Sequence, residues 1–234
     1  MTDDISARIA KIRAKINETC LRLKRDPDEV NLMAVTKMQP ISAAREAFNN
    51  GIHIFGENRV QEGTEKFSGF RDLGSNIQIH LIGNLQRNKA KKAVNFFDCI
   101  QSVDRESLLT ELGQLTLERE KPLMIYLEYH TGEESKAGFP DLESLFKAAE
   151  IAMAMPGLKP VGLMTMAPFT ADKEVIRASF CSCRLASQEL CRRFGIESWS
   201  GLSMGMSGDF EIALEEGSTL IRIGTAIFGE RNSQ

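Results

Sequence analysis

Short apolar runs recur along the chain and alternate with segments whose apolar residues follow helical spacing. In order, the runs read NLMAV, IHIFG, IQIHLIG, FDCIQSV, PLMIYLEY, LKPVGLMTM, SWSGLSMG and TLIRIGTAIFG. The helix-compatible segments cover residues 3–25, 42–51, 59–67, 85–96, 106–119, 142–155, 173–194 and 209–216. Continuous apolar runs are typical of parallel strands that are buried on both faces. The pattern therefore predicts a parallel sheet whose strands are joined by helices.

The number of repeats indicates how the sheet closes. About eight strand–helix units fit into 234 residues, which favours an α/β fold of the (β/α)8 or TIM-barrel type with one extra N-terminal helix. An open dinucleotide-binding sheet would need G-x-G-x-x-G after the first strand, where this chain reads VTKMQP. No linker-like composition interrupts the series. We expect residues 1–234 to form a single domain.

Composition and charge exclude several classes of protein. The net charge is −3, and the basic run RNKAKK is best explained as a solvated helix face, so nucleic acid is not an expected partner. The five cysteines form no CxxC pair, and the three histidines lie far apart, so neither a disulfide framework nor a metal site is expected. The N-terminus lacks the apolar core of a signal peptide, and no apolar run is long enough to span a membrane. We expect a cytoplasmic protein without a membrane anchor.

The carboxyl ends of the strands carry the chemistry in barrels of this type. Lys37 stands at the end of the first predicted strand, in LMAVTK. Partial desolvation among apolar neighbours disfavours an ammonium and leaves an amine that can form imines with aldehydes. A solvated lysine at a strand end remains the alternative.

The last two strands are followed by turns suited to a phosphate. GLSMGMSGD contains Ser203 and Ser207, and Ser207 is a candidate N-cap for the next helix. Gly224 and Thr225 come directly after the final strand, where barrels commonly bind phosphate. Each turn alone could be an ordinary turn with no role in binding. An amine at Lys37 that can react with an aldehyde, together with two turns that can bind a phosphate, indicates pyridoxal 5'-phosphate.

Longer strings carry a family resemblance over nearly the whole chain. They are LMAVTK, GIHIFGENRVQE, HLIGNLQRNK, SVDR, ESKAGF, GLMTMAP, LSMGMSGDFEIAL and GSTLIRIGTAIFGER. With them, the sequence resembles the pyridoxal-phosphate homeostasis proteins, which are one-domain relatives of the alanine racemase N-terminal barrel. The resemblance implies a cofactor site made of Lys37, Asn58, Ser203, Arg222, Gly224 and Thr225.

The resemblance also implies a role for each of these residues. Lys37 would carry the cofactor as a Schiff base, and Arg222 would face the pyridine nitrogen. Ser203, Gly224 and Thr225 would hold the phosphate. Asn58 would line the site. His80 is expected in the pocket wall. Several relatives have a second lysine two positions after the first, where this chain has Gln39, so a secondary docking step would fall to Lys136.

Arg222 favours a carrier over a catalyst. An arginine stays protonated and cannot give a proton to the ring nitrogen, which leaves the ring a weak electron sink. Racemases of the related fold use a tyrosine from a second, β-rich domain. This sequence ends soon after its last strand, so we expect no such domain, and Tyr126 and Tyr129 are more simply core or surface residues of the fifth strand.

Three functions stay open at this stage. The first is a protein that stores, buffers or delivers pyridoxal phosphate, as a monomer or a weak dimer, with apo-enzymes that use this cofactor as possible recipients. The second is an amino-acid racemase or lyase that uses the same cofactor. The third is an aldolase in which Lys37 attacks a sugar-phosphate carbonyl. The resemblance favours the first.

Overall fold

Eight parallel strands close into a barrel within the residues that the computed structural model describes, which are 4–70, 74, 76–132, 137–194 and 199–230. The strands follow one another around the barrel in chain order, and the first is hydrogen-bonded to the last. They are β1 (Asn31–Val35), β2 (Ile54–Glu57), β3 (Gln78–Leu81), β4 (Cys99–Val103), β5 (Leu123–Glu128), β6 (Leu158–Met164), β7 (Gly201–Ser203) and β8 (Leu220–Ile223). The predicted (β/α)8 barrel is confirmed.

Helices connect the strands and surround the barrel. They are α1 (Ile5–Arg22), α2 (Ile41–Asn49), α3 (Val60–Phe67), α4 (Ala90–Phe96), α5 (Glu106–Leu115), α6 (Leu142–Met153), α7 (Lys173–Phe194), α8 (Phe210–Glu215) and α9 (Thr225–Phe228). Over the described ranges, none of these helices combines the length and the apolar character needed to cross a bilayer.

The predicted extra N-terminal helix is α1. Its N-cap is Asp4, whose side chain accepts a 2.7 Å hydrogen bond from the backbone N–H of Ala7. Ile9, Ile12 and Ile16 recur at helical spacing and are buried. This apolar stripe packs α1 against α2, α8 and α9, so the helix covers the seam where β8 meets β1.

A separate apolar cluster lies inside the barrel. It contains Met33, Cys99, Tyr126, Met164 and Leu220, which come from five different strands. Side chains from so many strands can meet only on the barrel's inner side. Of the two tyrosines, Tyr126 therefore faces the interior, whereas Tyr129 packs on the outer core.

Several predicted helix boundaries differ from the structure by a few residues. The helix predicted over residues 106–119 ends at Leu115, because the buried Thr116 hydroxyl donates back to the Gly113 carbonyl and the chain turns there. The final strand ends at Ile223, as expected from the placement of Gly224 and Thr225 after it. After Gly224 the chain forms the short helix α9, since the backbone N–H groups of Ile227 and Phe228 donate to the Gly224 carbonyl.

Candidate functional site

A cavity of about 690 Å³ opens at the carboxyl ends of the strands, a volume typical of small-molecule sites. Five of the six predicted site residues line it: Lys37, Asn58, Arg222, Gly224 and Thr225. They follow or belong to strands β1, β2 and β8, which are neighbours in the barrel. Strand closure thus brings together side chains that are far apart in sequence.

Lys37 lies in a tight turn two residues after β1. The backbone N–H of Gln39 donates to the Thr36 carbonyl at 3.0 Å and closes this turn. Lys37 is half-buried and lines the cavity, and so does Gln39. Lys136, the other lysine predicted for a docking step, lies outside the described residues.

The loops after β7 and β8 present bare backbone to the cavity. Gly208 and Gly224 both line it, next to Ser207 and Thr225. A Cβ placed on Gly208 would meet no atom of the described chain within 4 Å, so the backbone there faces open space. A Cβ on Gly224 would lie 3.5 Å from Val35, an ordinary contact. Backbone and hydroxyl groups of this kind suit a phosphate.

The prediction that Ser207 caps the next helix is wrong. Helix α8 begins after Asp209, and the Ser207 hydroxyl instead accepts a 3.2 Å hydrogen bond from the backbone N–H of Ala226. Ser207 belongs to the loop after β7, and Ala226 belongs to α9 after β8. This hydrogen bond joins the two loops into one wall of the cavity.

Ser203 is the predicted phosphate ligand that the structure places elsewhere. Its side chain is fully buried in β7 and is not part of the cavity lining. Its hydroxyl donates to Gln101 Oε1 at 2.6 Å and accepts from Arg222 Nη1 at 2.8 Å. Both hydrogen-bonding roles of the hydroxyl are therefore taken within the protein. Among the serines of this segment, the cavity position belongs to Ser207.

Arg222 is a buried cation in the cavity wall, only 4% exposed. Its Nη2 donates to the Thr165 carbonyl at 2.8 Å, and its Nη1 donates to the Ser203 hydroxyl. Burial lowers the pKa of Arg222 to about 10, while the charges of Asp209 and Glu128 act in the opposite direction. The guanidinium therefore stays charged at neutral pH and can only donate hydrogen bonds.

His80 is buried and does not belong to the cavity lining. Its Nδ1 accepts from Gln101 Nε2 at 2.8 Å, and its Nε2 donates to Gln78 Oε1 at 3.1 Å. Burial lowers the pKa of His80 to about 4, with Asp98 opposing, so the ring is neutral. With Gln101 and Ser203, it forms a hydrogen-bonded chain that ends on Arg222.

Two carboxylates that the sequence analysis did not assign to the site also line the cavity. Glu128 is the last residue of β5 and is 6% exposed, and Asp209 precedes α8. The rule that strand ends carry function would have found Glu128 if it had been applied to every strand. Within the described part of the chain, no three histidine, cysteine or acidic residues come together as a metal site would require.

Comparison with known proteins agrees with this geometry. The pattern described as "Alanine racemase, N-terminal domain" matches residues 8–232. The pyridoxal phosphate homeostasis protein of Aquifex aeolicus is 35% identical over 96% of this chain and 97% of its own length. That of Escherichia coli K12 is 35% identical over 98% of both chains. An alanine racemase from Bacillus anthracis, at 16% identity and a TM-score of 0.67, shares the fold over 56% of its length.

A solved structure of a relative contains a ligand. PipY of Synechococcus elongatus, described with pyridoxal phosphate bound, is 35% identical and superposes with a TM-score of 0.84 over 97% of this chain and 100% of its own. The fold and the lysine-bearing cavity define a (β/α)8 barrel of the alanine racemase N-terminal type. Within that class, the chain belongs to the pyridoxal phosphate homeostasis protein family.

Proposed function

We propose that this cavity binds pyridoxal 5'-phosphate covalently through Lys37, and that the protein stores, buffers or delivers the cofactor. One observation carries the proposal. A single cavity is lined by Lys37, by the glycines Gly208 and Gly224, and by the buried cation of Arg222. These groups match the aldehyde, the phosphate and the ring nitrogen of one small molecule.

The residues present fit this cofactor. The chemistry that pyridoxal phosphate supplies when bound is an aldehyde, which condenses with an amine to form a C=N bond and release one water. Lys37 would provide that amine, and Ser207, Gly208, Gly224 and Thr225 would hold the phosphate. Arg222 would donate a hydrogen bond to the ring nitrogen, and Asn58 lines the same cavity. Ser203 acts on Arg222 and not on the phosphate.

The same residues favour a carrier over a racemase. Arg222 keeps its own proton, so the ring nitrogen gains no positive charge from it, and carbanions next to the ring are poorly stabilised. Racemisation also needs a second acid or base besides the lysine. Tyr126 does not supply that group, because it lies in the interior cluster outside the cavity lining and burial raises its pKa. The acids present in the lining are the carboxyls of Glu128 and Asp209. The preference for a carrier therefore depends on Arg222, and the proposal makes turnover of amino acids no part of the protein's role.

Covalent attachment tests the proposal directly. Pyridoxal phosphate added to the purified protein should produce an absorbance band near the visible edge, and borohydride should fix the cofactor's mass on the Lys37 peptide. Lys37→Ala should lose both signals, while Lys91→Ala, which changes an exposed lysine of α4, should keep them. Retention of the fixed mass by Lys37→Ala would reject the proposal.

Two further measurements separate the alternatives. Rapid exchange of the Cα hydrogen when the loaded protein meets single L-amino acids in deuterated water would favour a racemase or lyase. A colourless protein that borohydride traps only with a ketose phosphate would favour an aldolase.

Delivery is tested by mixing the loaded protein with an apo-enzyme that depends on pyridoxal phosphate, in the presence of a reagent that traps free cofactor. The activity of the apo-enzyme should return faster with the loaded protein than with the same amount of free cofactor.

A further inference from the structure

The turn that carries Lys37 has an unusual backbone. Met38, the next residue, has a φ of +60°, in the left-handed region that residues with a side chain rarely adopt. Its side chain is 73% exposed, so packing of that side chain does not explain the conformation. Some other interaction must hold the turn in place.

A buried ionic cluster beneath the turn provides that interaction. The ammonium of Lys66, on α3, donates to Glu57 Oε1 at 2.8 Å, to Glu62 Oε1 at 2.9 Å and to the backbone carbonyl of Thr36 at 2.6 Å. The side chain of Glu57 is fully buried at the end of β2, and that of Lys66 is 9% exposed. An ammonium has three protons, and three acceptors receive them. Lys66 is therefore a structural cation rather than a second amine for the cofactor.

The cluster holds the peptide groups on both sides of Lys37. The Thr36 carbonyl, in the peptide before Lys37, accepts from Lys66, and the Thr36 hydroxyl donates to Glu57 Oε1 at 2.7 Å. The Met38 N–H, in the peptide after Lys37, donates to Glu62 Oε1 at 2.5 Å. The chain at Lys37 is thus fixed from both directions, and the residue with the left-handed φ, Met38, has its N–H bound to the carboxylate of Glu62.

The pKa values of Glu57 and Glu62 both depend on the charge of Lys66. Burial raises the pKa of Glu57, and the hydrogen bonds from Lys66 and Thr36 oppose this rise. Burial also acts to raise the pKa of Glu62, but the bonds from Lys66 and Met38 outweigh it, and the net shift is downward. Because the Lys66 ammonium lies between them, the carboxylates of Glu57 and Glu62 can stay charged and accept hydrogen bonds from Thr36 and Met38 in the turn.

We propose that Glu62 and Lys66, with Glu57, are positioning residues that hold the amine of Lys37 toward the cavity. The proposal rests on the function proposed above for Lys37. None of the three touches the cofactor site directly, since they lie outside the cavity lining. Their loss is expected to slow formation of the covalent bond while leaving the space for the ring and the phosphate unchanged.

Glu62 offers the cleanest variants because its side chain is 26% exposed. Glu62→Ala removes the acceptor for the Met38 N–H, whereas Glu62→Gln retains an oxygen at that place. Glu65→Ala, an exposed change on the same helix, is the matched control. Lys66→Met removes the whole connection but leaves Glu57 buried without its cation, so it is a secondary variant used only if its thermal melting remains cooperative.

Two measurements separate positioning from general damage. The first is the rate at which added pyridoxal phosphate becomes covalently bound, followed by absorbance. The second is the affinity for pyridoxine 5'-phosphate, which carries a hydroxymethyl group in place of the aldehyde and fills the same cavity without bonding to Lys37. We expect Glu62→Ala to slow the covalent step on the order of 10- to 100-fold, as misplacement of a reacting group does. Its affinity for pyridoxine 5'-phosphate should stay within about twofold of the parent, and Glu62→Gln should restore most of the rate.

The outcomes are distinguishable from failure of the proposed function. If Glu62→Ala binds pyridoxal phosphate covalently as fast as Glu65→Ala, the positioning role is wrong, although Lys37→Ala can still abolish the bond. If Glu62→Ala loses affinity for pyridoxine 5'-phosphate as much as it loses rate, the cluster supports the whole cavity and the proposal is also wrong. Covalent binding that survives Lys37→Ala would overturn both the proposed function and this inference.

Discussion

The hydroxyl of Ser203 accepts a 2.8 Å hydrogen bond from Nη1 of Arg222, and both side chains are almost completely buried. The serine hydroxyl then donates to Gln101, whose amide donates to His80. Ser203 and Gln101, in the middle of this chain, each accept from one neighbour and donate to the other. Ser203 therefore holds the buried guanidinium of Arg222 by a hydrogen bond and does not form part of the cavity surface.

We predict that Ser203→Ala reduces stability more than it reduces cofactor binding. The change leaves Gln101 Oε1 without its donor and removes one acceptor from Arg222, at a place where Ser203 and Gln101 are fully buried. An unsatisfied buried polar group costs about 1–3 kcal/mol. The free energy of unfolding, measured with urea on the cofactor-free protein, should fall by that amount, whereas affinity for pyridoxal phosphate should change little.

Ser207→Ala is the matched comparison for that variant. Ser207 lines the cavity and is half-buried, so its loss should weaken phosphate binding with a smaller effect on unfolding. If Ser203→Ala instead abolished binding and Ser207→Ala had no effect on it, Ser203 would be the serine that binds the phosphate.

We predict that Gly208→Val weakens binding of pyridoxal phosphate through its phosphate. The φ angle of Gly208 is not among the positive values, so a side chain causes no backbone strain there. Because the space beside its backbone is open, the new side chain would occupy the place proposed for the phosphate. Affinity for pyridoxal phosphate should fall roughly tenfold or more, equivalent to about 1.4 kcal/mol.

Pyridoxal without its phosphate provides the internal control for this variant. Its weaker affinity should be nearly the same for the parent and for Gly208→Val. Gly69→Val, at an exposed position outside the cavity, should leave both ligands unaffected. Equal loss for pyridoxal and pyridoxal phosphate would place the phosphate away from Gly208.

The fold could be predicted because its signals are local and repeated. Each buried parallel strand appears in the sequence as an apolar run, and the strand ends identified Lys37 and Gly224 without knowledge of the packing. The roles of Ser203 and Ser207 could not be separated in this way. The two serines are four positions apart in one glycine-rich segment, and only the register of β7 decides which is buried.

The ionic cluster beneath Lys37 was beyond sequence reasoning for a different physical reason. Glu57 and Glu62 belong to the string GIHIFGENRVQE, and Lys66 follows four residues after it. Their joint chemistry appears only when α3 packs against β2 and lies under the turn after β1. Likewise, Tyr126 and Tyr129 are three positions apart in one segment. Strand β5 ends at Glu128, so only Tyr126 lies within the strand, where it faces the interior.

We predict that His80 makes the protein less stable in mild acid. Its pKa is about 4 in the folded protein because burial disfavours the charged ring, compared with about 6.5 in an unfolded chain. Between these values the unfolded state binds more protons than the folded state, so the free energy of unfolding falls as pH falls. The contribution of this one group between pH 7 and pH 5 is about 2 kcal/mol.

His80→Gln isolates that contribution because glutamine does not titrate and retains both a donor and an acceptor. Urea unfolding at pH 7 and pH 5 should show a smaller loss of stability for the variant than for the parent, by about 2 kcal/mol. His53→Gln, at a half-buried position before β2, serves as the control for the removal of a histidine. If the parent and His80→Gln lose the same stability over this interval, His80 takes up a proton in the folded barrel, and the hydrogen-bonded chain to Arg222 does not depend on a neutral ring.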